Sequence, residues 1–103
     1  NLNNAALGMV RQWQDMQYGG RHSSSTYENS LPDFVALAES YGHIGIKVSS
    51  FDDLESAMRE CISLKDRLVF LDVDVDPNEH VYPMLEAGNS MDYMWLGKDK
   101  KTW

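Results

Sequence analysis

The 103-residue sequence has one cysteine, three prolines and no long uninterrupted run of apolar residues. A single cysteine, Cys61, excludes a disulfide framework within the chain and indicates a reducing compartment. No apolar run approaches the roughly 18 residues that a transmembrane helix requires. We therefore expect a cytoplasmic protein with no membrane partner, in which Cys61 is a small buried apolar residue.

Basic residues are also scarce. Nine Lys and Arg stand against 16 Asp and Glu, which gives a net charge of −7. A nucleic-acid-binding domain would carry a clustered Lys/Arg face, and here only Lys98, Lys100 and Lys101 lie close together. The composition thus predicts no nucleic-acid partner, and the length allows one domain at most.

Several common functional motifs are missing. The sequence contains no P-loop, no Rossmann glycine motif and no nucleophile elbow. The three histidines are far apart in the sequence and lack the spacing of metal ligands, so we expect loop or surface roles for them. They are His22, His43 and His80.

Three aspartates alternate with valines in the segment 72–76. An EF-hand loop would need glycine where Pro77 stands and polar residues at Val73 and Val75. We therefore expect Asp72, Asp74 and Asp76 to form the solvated end of a strand.

Apolar periodicity predicts three helices. Met9, Trp13 and Met16 form the apolar stripe of a short helix that ends at Gly19-Gly20, and a polar, mobile loop follows over 21–29. The second helix has Ser30 as its expected N-cap and Gly42 as its left-handed end; its apolar face is Phe34, Leu37, Ala38 and Tyr41. The third is capped by Ser50; its apolar face is Leu54, Met58 and Cys61 or Ile62.

Two strands are predicted, one between the second and third helices and one after the third helix. Ile44, Ile46 and Val48 alternate with other residues, and the apolar run 68–71 indicates a strand covered on both faces that ends before Pro77. The order strand, helix, strand is typical of a βαβ unit in a parallel sheet, and 1–4 are expected to end another strand. Since two strands do not make a stable parallel sheet, we expect earlier strands upstream of Asn1.

Four segments carry a resemblance to a known family. They are Asn1-Leu2-Asn3-Asn4-Ala5-Ala6-Leu7-Gly8-Met9-Val10-Arg11-Gln12-Trp13-Gln14, Leu31-Pro32-Asp33-Phe34, Val81-Tyr82-Pro83-Met84 and Met91-Asp92-Tyr93-Met94-Trp95. In this order they resemble the C-terminal end of the catalytic large subunit of bacterial acetohydroxyacid synthase (acetolactate synthase). The resemblance covers nearly the whole chain and implies that the chain is part of a longer protein.

The resemblance implies an α/β fold: residues 1–76 are the C-terminal βαβ portion of a thiamine-diphosphate-binding parallel-sheet domain, and residues 77–103 are an extended arm or lid. The complete enzyme joins two pyruvates, or pyruvate and 2-ketobutyrate, with loss of CO₂ in branched-chain amino-acid biosynthesis. It uses thiamine diphosphate, Mg²⁺ and FAD, and no residue here is assigned to FAD. Its implied partners are 2-ketoacid substrates, a homodimer or tetramer of catalytic subunits and a regulatory small subunit.

The resemblance also implies site residues. Asn4 corresponds to an amide ligand of Mg²⁺ and Ala6 to a backbone-carbonyl ligand, while Gly8 and Met9 lie at the cofactor. Met9, Val10 and Trp13 correspond to the wall of the second-ketoacid and inhibitor pocket. The aspartate ligand and the activating glutamate are implied to lie elsewhere, so no catalytic residue is expected here and the isolated fragment should be inactive.

The residues themselves leave simpler interpretations open. An Asn-Asn pair alone is a turn signal, and Met9, Val10 and Trp13 alone would be a helix core stripe. For the function, three alternatives remain: another thiamine-diphosphate carboligase or decarboxylase such as a glyoxylate carboligase, a non-catalytic interaction module that retains this fold, and a stable domain without a present function.

Overall fold

The protein is described here from a computed structural model, which covers residues 1–27 and 29–98. Glu28 of the predicted loop and residues 99–103 of the predicted arm, with Lys100 and Lys101, lie outside the described residues. The helices are α1 (Gly8–Gln17), α2 (Phe34–Ser40) and α3 (Phe51–Ser63), and the strands are β1 (Leu2–Asn3), β2 (Ile44–Val48) and β3 (Val69–Asp74). Within the described ranges, no helix has the length and apolarity to cross a membrane.

The three strands form one parallel sheet in the order β1-β3-β2. Val73 of the central strand lies beside Leu2 on one side and Val48 on the other. The α/β class, the parallel βαβ unit β2–α3–β3 and the strand end within 1–4 are thereby confirmed. Because parallel strands run in one direction, the chain leaves β1, β2 and β3 at a common edge.

Helices α2 and α3 lie on opposite faces of the sheet. α2 approaches through Val35, which is so close to Gly45 of β2 that an added Cβ would stand 2.7 Å from the Val35 Cα. The ring of Phe34 also stacks on Phe70 of β3 at 6.0 Å. On the other face, α3 buries Ala57. Gly45 is therefore needed for close packing rather than for a turn.

The start of α2 differs from the prediction. The N-cap is Asp33, whose Oδ1 accepts a hydrogen bond from the Ala36 N–H at 3.0 Å, and not Ser30. Pro32 disfavours a helical conformation at Leu31, so the helix begins only after the proline. The predicted cap of α3 is confirmed, since Ser50 Oγ accepts from the Asp53 N–H.

The predicted apolar faces of α2 and α3 are only partly buried. Among the predicted members, Ala38 is buried and Phe34, Leu54 and Cys61 are half-buried, so Cys61 is not the fully buried residue that was expected. The other members are exposed; these are Leu37, Tyr41, Met58 and Ile62. A three-stranded sheet is narrow, so it covers the centre of each helix and leaves the flanks open. The run 68–71 is likewise covered incompletely, with Leu68 exposed.

The prediction of a solvated strand end at the aspartates is wrong for Asp72. Its side chain is buried because β3 is the central strand, and its Oδ2 accepts from Lys47 Nζ of β2 at 2.8 Å. Lys47 also donates to Asp74 Oδ1. Hydrogen bonds to Asp72 and then Asp74 raise the pKa of Lys47 above its usual value, so the lysine stays charged and neutralises the buried carboxylate.

Candidate functional site

The turn between β1 and α1, residues Asn4–Ala6, lies at the edge where the strands end. Two successive asparagine side chains shape it: Asn3 Oδ1 accepts from the Ala5 N–H at 3.1 Å, and Asn4 Oδ1 accepts from the Ala6 N–H at 3.2 Å. Ala5 adopts a left-handed conformation with φ of 52°. The Asn pair is thus the turn signal that its composition indicates, and the turn presents its amide and carbonyl groups at the sheet edge.

A second segment, residues 25–27, holds this turn in place. The Leu7 N–H donates to the Ser25 carbonyl and the Tyr27 N–H donates to the Ala5 carbonyl, both at 2.8 Å. Ala6 and Thr26 face each other in this short antiparallel bridge. Because both bonds come from the neighbours of Ala6, its own carbonyl points away from Thr26. The Ala6 carbonyl therefore takes no part in this bridge.

The first residue of α1 touches the Asn4 amide. A Cβ added at Gly8 would stand 2.7 Å from Asn4 Nδ2, closer than Cβ atoms come to other atoms. No side chain caps this end of α1, so the N–H groups of its first turn can face an anion, which the helix dipole also favours. A phosphate group beside the Asn4–Ala6 turn would meet both features.

The predicted pocket residues lie on the next turns of the same helix. Met9 and Val10 are 48% and 46% exposed, and Trp13 is half-buried. Met9 and Val10 therefore do not form a helix core in this structure. The three side chains give α1 an open apolar surface adjacent to the Asn4–Ala6 turn.

Gln12 and Gln14, on either side of Trp13, have roles that sequence analysis missed. The Gln12 side chain is 1% exposed and bonds to the backbone of Val81 in the arm. Gln14 accepts from Ser25 Oγ at 2.5 Å and donates to the Ser23 carbonyl at 3.1 Å. Residues 21–27, which the sequence marks only as a polar loop, thus have a defined place on α1.

Asp15 brings together two histidines that are distant in the sequence. Its Oδ1 lies 2.6 Å from His22 Nε2, and its Oδ2 lies 3.0 Å from His80 Nε2. Burial raises the pKa of the Asp15 carboxyl, but the hydrogen bonds and charges of the two histidines outweigh burial and hold that pKa below its usual value. His80 thus helps to attach the arm to α1. The spacing of the histidines in the sequence did not predict this contact. Across 1–27 and 29–98, no group of three His, Cys, Asp or Glu side chains could hold a metal ion.

The described residues can supply part of a metal shell but not all of it. Asn4 offers an amide oxygen and Ala6 a carbonyl oxygen, and Mg²⁺ prefers oxygen ligands. Mg²⁺ in proteins is usually bound by a few protein ligands together with substrate phosphates and water, and the uncapped start of α1 suits the phosphates. The donor set therefore fits a Mg²⁺ that reaches this turn together with a diphosphate.

Comparisons with known proteins identify the family. Residues 1–73 match the family described as "Thiamine pyrophosphate enzyme, C-terminal TPP binding domain". The chain is 58% identical over 100 residues to the acetolactate synthase large subunit of Haemophilus influenzae, and 59% identical over 104 residues to the acetolactate synthase isozyme 3 large subunit of Escherichia coli. These alignments include 97% and 99% of the chain but span only 17% and 18% of the two relatives. The chain belongs to the thiamine pyrophosphate enzyme family, and its residues 1–73 match the C-terminal thiamine pyrophosphate (thiamine diphosphate) binding domain of that family.

Proposed function

We propose that this chain is part of the large catalytic subunit of an acetolactate synthase. The complete protein would join two pyruvates, or pyruvate and 2-ketobutyrate, with loss of CO₂ in branched-chain amino-acid biosynthesis. The identity of 58–59% to two bacterial large subunits along nearly the whole chain supports this proposal. It implies a bacterial cytoplasmic enzyme with further catalytic subunits, a regulatory small subunit and FAD bound by residues outside this chain.

The observation that carries the site assignment is the juxtaposition of the Asn4–Ala6 turn and the uncapped start of α1. In the proposal, the Asn4 amide and the Ala6 carbonyl coordinate Mg²⁺, and the first turn of α1 with Gly8 and Met9 lies along the diphosphate. Thiamine diphosphate held by these residues would provide the carbon nucleophile needed for ketoacid condensation. The chain contributes binding and orientation, while the activating acid or base comes from elsewhere in the enzyme.

The open apolar surface of α1 serves as one wall of the acceptor pocket. Met9, Val10 and Trp13 lie within two turns of the proposed metal ligands, and none is a reacting group. An apolar wall lowers the local dielectric and keeps water away from the reacting carbon. It also favours a longer acceptor, because each additional methylene in an apolar pocket contributes about 1–3 kcal/mol.

The test uses the full-length protein that contains this chain. With pyruvate, thiamine diphosphate, Mg²⁺ and FAD it should form acetolactate. Asn4→Ala should raise the Mg²⁺ concentration needed for half-maximal activity by about 10- to 100-fold, as loss of a well-placed group at a metal site does. Asn4→Asp retains an oxygen ligand and should lose less.

Asn89→Ala is the matched control, because Asn89 is exposed and its side chain bonds only to Glu86 among the described residues. It should leave the Mg²⁺ requirement unchanged. Formation of a product from glyoxylate and none from pyruvate alone would favour another carboligase. Retention of full Mg²⁺ affinity in Asn4→Ala would contradict the site assignment even in an active enzyme.

A further inference from the structure

The buried amide of Gln12 is a polar group on α1 that the proposed cofactor site does not use. Its Nε2 donates to the Val81 carbonyl at 2.9 Å, and its Oε1 accepts from the Val81 N–H at 2.9 Å. A single side chain thus satisfies both backbone groups of one residue, 69 positions further along the chain. Buried paired hydrogen bonds of this kind define a geometry, because each group left without its partner would be desolvated at a cost.

Neighbouring contacts attach the arm at the same place. Asp15, one turn after Gln12, binds His80, and the Tyr82 hydroxyl lies 3.4 Å from His80 Nδ1. The two ring nitrogens of His80 thus contact the Asp15 carboxylate and the Tyr82 hydroxyl. Residues 80–82 are therefore joined to α1 by side-chain contacts as well as by the Gln12 amide pair.

The attachment extends into the arm through Met84. Gln12 Nε2 lies 2.9 Å from Met84 Sδ, and Met84 pairs with Trp95 through two backbone hydrogen bonds of 2.8 Å. The arm thus meets α1 at residues 80–82 and again at Met84, which pairs with Trp95 within the arm. A movement of the arm would have to move α1 or break the Gln12 amide pair.

Gln12 and Trp13 are consecutive, so their side chains leave the helix about 100° apart. The side that carries Gln12 meets the arm, and the adjacent side carries Met9 and Trp13. We propose that Gln12 is a positioning residue: by holding Val81, it couples the arm to α1 and sets where the Met9–Val10–Trp13 wall stands against the second ketoacid. This inference rests on the proposed function and adds a determinant of acceptor binding that touches neither substrate nor cofactor.

The experiment compares Gln12→Met with Gln17→Met in the full-length protein. Methionine has nearly the shape of glutamine but cannot form the amide pair, and Gln17 is exposed near the end of the same helix. Hydrogen exchange at the Val81 amide should become about fivefold faster in Gln12→Met, as expected for loss of a hydrogen bond, and should not change in Gln17→Met. This readout does not depend on activity.

Kinetics then separate positioning from general destabilisation. Gln12→Met should raise KM for the second ketoacid about fivefold, a shift of the size that one lost hydrogen bond produces. The kcat and the affinity for thiamine diphosphate should stay close to those of the wild type, because the Asn4–Ala6 turn is unchanged. A purely structural role would lower the active fraction, and hence kcat, and leave KM in place.

A second pair of variants tests the contact from the arm. Val81→Pro removes the N–H that donates to Gln12, whereas Val81→Ala retains it and trims only an exposed side chain. Val81→Pro should reproduce the KM change of Gln12→Met, and Val81→Ala should resemble the wild type. This pair keeps the proposal testable if Gln12→Met does not fold.

Three results would overturn the proposal. Unchanged exchange at Val81 in Gln12→Met would show that the amide pair does not hold the arm. Faster exchange with an unchanged KM would show that the contact does not position the acceptor wall. A wild-type enzyme that makes no acetolactate would overturn the proposed function and with it the acceptor role of Gln12, while the exchange comparison would still decide whether Gln12 holds the arm.

Discussion

Gly8→Ala separates the stability of the fold from the affinity of the proposed metal site. Gly8 begins α1 and has no left-handed backbone angle, so alanine is compatible with its conformation. Alanine favours a helix over glycine by up to about 1 kcal/mol. The substitution should therefore leave the unfolding free energy unchanged or raise it slightly.

The same methyl group meets the Asn4 amide. Nδ2 would have to move from 2.7 Å to at least the 3.4 Å of ordinary contact, and the Oδ1 proposed to bind Mg²⁺ would move with it. Displacement of a metal ligand by such a distance should weaken binding by about 10- to 100-fold, which corresponds to about 1.4–2.7 kcal/mol. Stability and affinity should thus change in opposite directions.

The assay is calorimetric titration of Mg²⁺ with thiamine diphosphate into the full-length protein, together with its urea unfolding midpoint. Gly97→Ala is the control, because an added Cβ there meets nothing within 4 Å. Wild-type affinity in Gly8→Ala would refute the argument, because it would mean that the Asn4 amide is not a ligand or can move without loss. A large fall in the unfolding midpoint would refute the assumption that glycine at position 8 makes room for the Asn4 amide and is not required for the conformation of the helix.

Three further predictions concern other contacts. Trp13→Leu should reduce the preference for 2-ketobutyrate over pyruvate in a competition assay by about tenfold, with turnover changed much less; a collapse of turnover with unchanged preference would make Trp13 a structural core residue. Lys47→Met should lower the unfolding free energy by about 1.5–3 kcal/mol, since it leaves the buried Asp72 carboxylate without its charged donor; the raised pKa of Lys47 places this stabilisation below pH 10.5, and urea titrations of wild type and variant should converge as the pH rises beyond it. The pKa of the Asp15 carboxyl is lowered from its usual 3.8, so its ionised form stabilises the protein at pH values above 3.8 and this stabilisation is lost as the pH falls through the lowered pKa. The urea midpoint of wild type should exceed that of Asp15→Asn at neutral pH, and a difference that does not shrink as the pH is lowered below 3.8 would contradict the assigned role of Asp15.

The sequence predicted the elements of the fold where a local pattern determines them. The alternation of apolar and other residues predicts β2, and a capping serine with two aspartates in the first turn predicts the start of α3. Both elements occur as predicted. The start of α2 was misplaced because Ser30 and Asp33 are both good caps, and the choice between them depends on the restriction that Pro32 places on Leu31. The burial of Asp72 was not predicted, because it depends on which strand is central. The order of the strands is a property of the whole sheet.

The residues of the candidate site also differ in whether a local sequence pattern can identify them. The proposed ligands Asn4 and Ala6 lie within three consecutive residues, so a motif could identify them. The attachment of the arm pairs Gln12 with Val81 and Asp15 with His80, residues more than 60 positions apart. No spacing within a single sequence indicates such a pair, and the buried glutamine becomes recognisable only when its partner is in place.

Helix α1 joins the two parts of the site because each of its sides meets a different neighbour. Its first turn faces the Asn4–Ala6 turn, and Gln12 and Asp15 bind the arm. The surface that carries Met9 and Trp13 remains open. A change in any one contact should therefore be transmitted through a single ten-residue helix, which is too short to bend appreciably between its ends. If the proposed site is correct, the position of the Met9–Val10–Trp13 wall depends on the arm as much as on the Asn4–Ala6 turn. Variants of Gln12 and of Gly8 should then both alter acceptor binding, whereas of these two only the Gly8 variants should alter the affinity for Mg²⁺.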